Sequence, residues 1–107
     1  MVTQSEYWNG NAGKKWASLA NNQDTLLGKL GEVTMDSAGL STGQTVLDIG
    51  CGNGRNSVLL AEKGFTVDAL DISDLAIEKT EKLARTHKVK VTTHRGNFFN
   101  FNKNKKY

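Results

Sequence analysis

The sequence predicts an α/β fold: a parallel sheet of strand order 3-2-1 with flanking helices, preceded by two helices. Three observations predict it. From Thr45 onward, short apolar segments alternate with segments of helical period. The links between them are short, and a β-α-β-α-β chain with short links folds as parallel strands joined by right-handed crossovers. The first apolar segment, finally, runs straight into Gly50, Gly52 and Gly54, where the chain must turn sharply into a helix.

The elements follow in order. Residues 11–20 place Trp16, Leu19 and Ala20 at the spacing of a short amphipathic helix. Asp24 is the expected N-cap of a second helix, Leu26, Leu30 and Val33 recur at i, i+4 and i+7, and Gly39 stops it. Residues 41–43 form a loop. Residues 45–49 are the first strand, residues 55–63 a helix ended by Gly64, and residues 65–70 the second strand. Ser73 caps a third element, with Ala76, Thr80 and Leu83 on one face and Ile77 and Ala84 flanking it, before a strand over residues 89–93. With no proline in the chain, glycine is the main punctuation, and no repeat or low-complexity segment interrupts the pattern.

At 107 residues the chain makes one domain at most, long enough for a core but short for a complete doubly wound fold. Hydrophobic residues at 37% and charged residues at 23% describe a soluble globular protein, and no apolar run approaches the roughly 18 residues of a membrane span. The N-terminus has neither a basic start nor an apolar core of a secretory signal, so a cytoplasmic location is expected. Cys51, the single cysteine, has no internal disulfide partner, and with only His87 and His94 as imidazoles no metal site has the required ligand spacing.

Charge is unevenly placed along the chain. From Lys79 onward nine basic residues stand against Glu81 alone, although the whole chain carries only +3. Such an end invites a nucleic-acid reading. Aromatic residues are not interleaved with these lysines, so a solvated helix face and a charged terminus are preferred and no nucleic-acid partner is expected.

The glycines carry the chemistry. In the dinucleotide fingerprint G-x-G-x-x-G the last glycine would fall at position 55; here Arg55 stands there and the third glycine comes one residue earlier. Ligands of open parallel sheets bind outside the carboxyl ends of the strands, beside the first strand, which is where this turn lies. Glycines there let the backbone pass under a bound nucleoside and amino acid, while amides over residues 53–56 favour a carboxylate. Asp48, at the strand end, suits an ammonium group. An unliganded tight turn is the competing reading of the same glycines. Asp71, 17 residues beyond Gly54, closes the second strand near the position where such folds place the acid that accepts ribose hydroxyls. Asp68 competes by residue type but lies inside the strand, and a capping or surface role competes for Asp71.

The run Asp48-Ile49-Gly50-Cys51-Gly52-Asn53-Gly54-Arg55-Asn56-Ser57, with Asp71-Ile72-Ser73, resembles the first motifs of the class I, Rossmann-like S-adenosylmethionine-dependent methyltransferases. Residues 45–101 are similar to the N-terminal portion of the small-molecule type, in the manner of the ubiquinone/menaquinone-biosynthesis and tellurite-resistance groups. Tyr7-Trp8-Asn9-Gly10 and Gly13-Lys14-Lys15-Trp16 look like the start of related enzymes. The resemblance implies S-adenosylmethionine as cofactor, held by Asp48, Gly50, Cys51, Gly52, Asn53, Gly54, Asp71, Ile72, Asn97 and Phe98, with no metal and no identified catalytic residue. Where such enzymes usually have an acid facing the adenine amino group, this chain has Asn97, whose amide oxygen can still accept. Cys51 reads as a small buried filler of the turn. Of Phe98, Phe99 and Phe101, at least two are expected in the core. Tyr7, Trp8 and Trp16 read equally as a cover over the cofactor or as packing.

The implied organisation is a helical cover over residues 1–40 and a βαβαβ cofactor-binding core over residues 45–101, within one domain. The implied function is methyl transfer to a small-molecule acceptor by in-line displacement, with no covalent enzyme intermediate. The family fold continues through further strands, so the chain is expected to be a fragment or half of an assembly, weak in cofactor binding and poor in turnover alone. Its first strand then forms an open edge that invites self-association. A non-catalytic module binding a nucleotide or S-adenosylmethionine is the alternative.

Overall fold

The computed structural model describes residues 2–19, 33, 36–41, 43–101 and 107. In chain order these form helices α1 (Gln4–Asn9) and α2 (Asn11–Ser18), strand β1 (Thr45–Ile49), helix α3 (Arg55–Glu62), strand β2 (Thr66–Asp71), helix α4 (Asp74–Thr86), strand β3 (Thr92–Arg95) and a 3-10 turn (Phe98–Asn100). The three strands make one parallel sheet in the order β1-β2-β3, which is the topology the alternating pattern predicts. Thr45 pairs with Thr66 and Ile49 with Leu70, while Asp68 pairs with Thr92 and Asp71 with Arg95. All three carboxyl ends therefore lie side by side.

The central strand is the most buried, because a strand pairs with it on either edge and helices pack against it. Val67, Ala69 and Leu70 are buried, against Val58 and Leu60 of α3 and Ala84 of α4. β1 is only half-buried, its outer edge has no strand partner among the described residues, and Ile49 is 53% exposed. No helix among the described residues is long and apolar enough to cross a membrane.

Two strand starts differ from the sequence expectation, and helix termination explains both. After α3, Gly64 takes a φ of +94° and its amide donates to Ala61 O while that of Phe65 donates to Leu60 O, a doubly bonded left-handed cap that leaves β2 to begin at Thr66. After α4 the same cap recurs with Lys88 at φ +56°: Lys88 N donates to Arg85 O and Val89 N to Ala84 O. Val89 is consumed by the cap. The strand expected over residues 89–93 is accordingly displaced to Thr92–Arg95.

The N-terminal segment holds two helices where the apolar spacing suggests one over residues 11–20. α1 starts at a capping box in which Thr3 Oγ1 accepts from Glu6 N and the Glu6 carboxylate accepts from Thr3 N. α2 folds back on it so closely that a Cβ on Gly13 would lie 1.7 Å from Trp8 O. Asp24, Leu26 and Leu30, the expected start of a further helix, lie outside the described residues. Gly39, its expected stop, has a φ of +67°.

Candidate functional site

The turn after β1 is closed onto β2 by its own backbone. Gly50 N and Cys51 N both donate to Leu70 O, at 2.7 and 3.1 Å, and Gly54 N donates to Cys51 O at 3.0 Å. Glycines 50, 52 and 54 all have positive φ, but their surroundings divide them. A Cβ on Gly54 would lie 2.7 Å from both Cα and Oγ1 of Thr80, so the third glycine makes room for α4. A Cβ on Gly50 or Gly52 would have no neighbour within 4 Å. Those two flank open space.

Asp71 faces that space and is held from both sides. One carboxylate oxygen accepts from Gly52 N at 2.9 Å, and the other accepts from Ser73 N at 2.9 Å. Its competitor Asp68 turns elsewhere: it accepts from Tyr107 OH at 2.7 Å, lies 3.4 Å from His94 Nε2, and borders a separate polar hollow beside β3. Asp48 stands behind the turn, accepting from Ser57 Oγ at 2.5 Å. Burial raises its carboxyl above the ordinary value; the Ser57 hydrogen bond opposes this, and the nearby Asp71 charge adds to it.

The open space is a cavity of about 430 Å³. Gly50, Gly52, Asn53, Asp71 and Ile72 line it at the ends of β1 and β2, with Asn97, Phe98 and Phe99 beyond β3. Trp8 and Trp16 line it from the N-terminal helices, their rings meeting edge to face at 6.4 Å, whereas Tyr7 meets Trp8 edge to face and is not part of the cavity wall. Of the ten residues singled out from the sequence, Asp48, Cys51 and Gly54 lie behind this wall. Cys51 is buried, with its thiol pushed up to about 12 chiefly by that burial, so it is no nucleophile.

The aromatic expectation after β3 is corrected. Phe99 is 84% exposed, Phe98 and Phe101 are half-buried, and Phe101 packs on His94 at 5.0 Å, so none belongs to the core. The short 3-10 turn is capped by Asn97 Oδ1, which accepts from Phe99 N at 2.9 Å, and sets Phe98 and Phe99 at the cavity rim and not in the core.

Two residues of the site escaped sequence reasoning. Thr80 donates to Gly52 O at 3.2 Å and lies 3.4 Å from Cys51 Sγ, tying the turn to α4; its hydroxyl on an otherwise apolar helix face was the available signal. Asn9 reaches the turn between β2 and α4, donating to Ile72 O at 3.1 Å and accepting from Asp74 N at 2.7 Å. The sequence marks it only as part of the Tyr7-Trp8-Asn9-Gly10 stretch, with no role of its own.

Comparison with known proteins bears on this geometry. A family profile described as a methyltransferase domain matches residues 46–107, taking in the glycine turn, Asp71 and the segment after β3. The mitochondrial ubiquinone biosynthesis O-methyltransferase of Schizosaccharomyces pombe is 37% identical over 78 residues, which is 73% of this chain and 27% of that protein. The ribosomal protein L11 methyltransferase of Nitratiruptor is 45% identical over 40 residues, 37% of this chain and 14% of that one. The chain thus spans little more than a quarter of the first of these relatives and about a seventh of the second. Among solved structures, magnesium protoporphyrin IX methyltransferase from Synechocystis with bound SAM superposes with a TM-score of 0.71 at 17% identity, covering 95% of this chain and 58% of that one. That likeness is one of fold.

Proposed function

The chain belongs to the methyltransferase-domain family, and from that premise we propose that it is the S-adenosylmethionine-binding portion of an enzyme that methylates a small molecule. The observation that carries the reading is Asp71: a carboxylate oriented by the Gly52 and Ser73 amides, at the wall of a cavity whose floor is two glycines with nothing over them. The remaining lone pairs of that carboxylate accept two ribose hydroxyls, and its charge repels a phosphate in their place. Gly50 and Gly52 let the backbone approach the ligand, with Asn53 leading into the amides of α3 that favour a carboxylate. Asp48 contributes negative potential toward an ammonium from behind the turn, where Cys51 and Gly54 shape the loop. Ile72, Asn97 and Phe98 border the adenine end. When bound, the cofactor supplies an electrophilic methyl on a sulfonium; the protein's part is to hold donor and acceptor in line.

Residues 45–101 serve in this reading as the cofactor-binding core and residues 1–40 as its cover, one domain in all. A small-molecule acceptor is supported by the longer alignment, that with the ubiquinone-biosynthesis enzyme. The edge of β1 that has no strand partner among the described residues is the surface we assign to self-association, to be read by sedimentation. A cytoplasmic location is supported by the lone free thiol of Cys51. Family membership weighs against a binding module without catalysis. Calorimetry with S-adenosylmethionine, NAD and ATP in parallel tests the whole: binding of the first alone is expected, and preference for either of the others overturns the reading.

A further inference from the structure

The N-terminal helices are pinned to the rest of the protein at two points. At the end of α1 the exposed Asn9 uses both ends of its carboxamide: Nδ2 donates to Ile72 O at 3.1 Å, and Oδ1 accepts from Asp74 N at 2.7 Å. Asp74 opens α4, and an amide in a first helical turn has no partner within its own helix, so Asn9 satisfies it from 65 positions away. At the other end, Lys79 Nζ donates to Ala17 O at 2.9 Å, placing a cation at the C-terminal turn of α2. Between the pins the two helices are packed tightly on each other, because Gly13 lies against the Trp8 carbonyl with no room for a side chain. Trp8 and Trp16, which line the cavity, are therefore carried by whatever Asn9 holds.

We infer that Asn9 is a positioning residue for ligand binding: it fixes the helix pair over the cavity in register with the turn that presents Asp71 and Ile72. The inference rests on the function proposed above. Asn9 touches no ligand in this account; it keeps Trp8 and Trp16 closed over one. Its loss should leave arrival of the ligand nearly unchanged and speed its departure.

Stopped-flow tryptophan fluorescence with S-adenosylhomocysteine reads both rates, since the chain has two tryptophans and both line the cavity. Asn9→Ala removes both bonds to the turn between β2 and α4, together with the local ones from Nδ2 to Ser5 O at 2.8 Å and Ser5 Oγ at 3.2 Å, and is expected to release the ligand about tenfold faster at a similar association rate. Asn9→Asp keeps an acceptor for Asp74 N and loses the donor to Ile72 O, so its release should be intermediate. It carries the same test if Asn9→Ala does not fold. Release by the folded variants within about twofold of the unsubstituted protein overturns the inference alone. Failure of the unsubstituted protein to bind overturns it together with its parent reading.

Discussion

Alanine at position 54 should unfold the protein far more readily than alanine at position 52, although both replace a glycine of one turn. At Gly54 the backbone has a φ of +86°, a conformation that costs a residue with a Cβ about 1–2 kcal/mol. The new methyl would also meet Thr80 Cα and Oγ1 at 2.7 Å and Cβ at 2.8 Å. Overpacking of that kind costs about 1–3 kcal/mol, because one of the contacts is backbone and α4 itself must shift. Together these amount to about 2–5 kcal/mol, and a domain of this size loses about 4 °C in Tm per kcal/mol, so Gly54→Ala should melt roughly 8–20 °C lower. At Gly52 the φ is +57° with no atom near the added carbon, leaving only the conformational penalty of about 1–2 kcal/mol. Its methyl projects into the cavity, so binding of S-adenosylhomocysteine should weaken about tenfold or more, measured by calorimetry. Thr80→Ala in the Gly54→Ala background removes the Oγ1 contact but leaves Cα and Cβ and forfeits the hydroxyl's bond to Gly52 O, so little of the loss should return. Equal destabilisation by the two single substitutions, in thermal and urea melts, would refute the division of labour among the glycines.

Three further outcomes are expected. Asp71→Asn puts an amide N–H against one of two backbone donors, so affinity for S-adenosylhomocysteine should fall at least about tenfold, with an unchanged Kd removing Asp71 from the site. Lys88→Gly relieves a left-handed cap residue at φ +56° and should raise Tm by about 4 °C; a lower Tm would contradict the cap assignment. For Asp48, burial raises the folded carboxyl above 3.8, so the folded state holds that proton more tightly than the unfolded chain, and stability falls as pH climbs from 3.8 through the raised value. Asp48→Asn keeps an acceptor for Ser57 and should flatten that slope while matching or exceeding the parent stability at pH 7; urea melts from pH 3 to 8, with a variant clearly weaker at pH 7, would contradict this.

What could be read from the chain was what its local chemistry states. β1 was legible to the residue because an apolar β-branched run ends against glycine, and Ser73 was legible as a cap because its hydroxyl accepts from Ala76 N three positions on. The box of Thr3 and Glu6 was equally local, and only a reading centred on apolar spacing passed over it. β3 was misplaced because Lys88 occupies a left-handed position that glycine ordinarily marks, so the cap carried no signal and Val89 looked like strand. The roles of Thr80 and Asn9 were hidden for a different reason, even though the Thr80 hydroxyl on an apolar helix face stood out. Their partners at Gly52, Ile72 and Asp74 come within reach only once the sheet has formed. The phenylalanines misled because three aromatics within four positions look like core, yet a core needs a facing element, and among the described residues none covers Phe99.

Asp48 sets folding and binding against each other. Both burial and the neighbouring Asp71 disfavour its charged form, and the Ser57 hydroxyl offsets only part of that. A turn selected for stability alone would carry an amide there, since an amide oxygen accepts from Ser57 equally well and brings no charge. On the proposed reading the penalty reverses when a sulfonium and an ammonium arrive, because each charge that opposes the other carboxylate attracts the ligand. Asp71 is held by a local arrangement: two backbone amides, those of Gly52 and Ser73, donate to it before any ligand does. The two acids therefore differ in kind. Asp71 is built into the turn by two backbone donors, whereas burial and the Asp71 charge both oppose the charged form of Asp48, an opposition that a cationic ligand would offset.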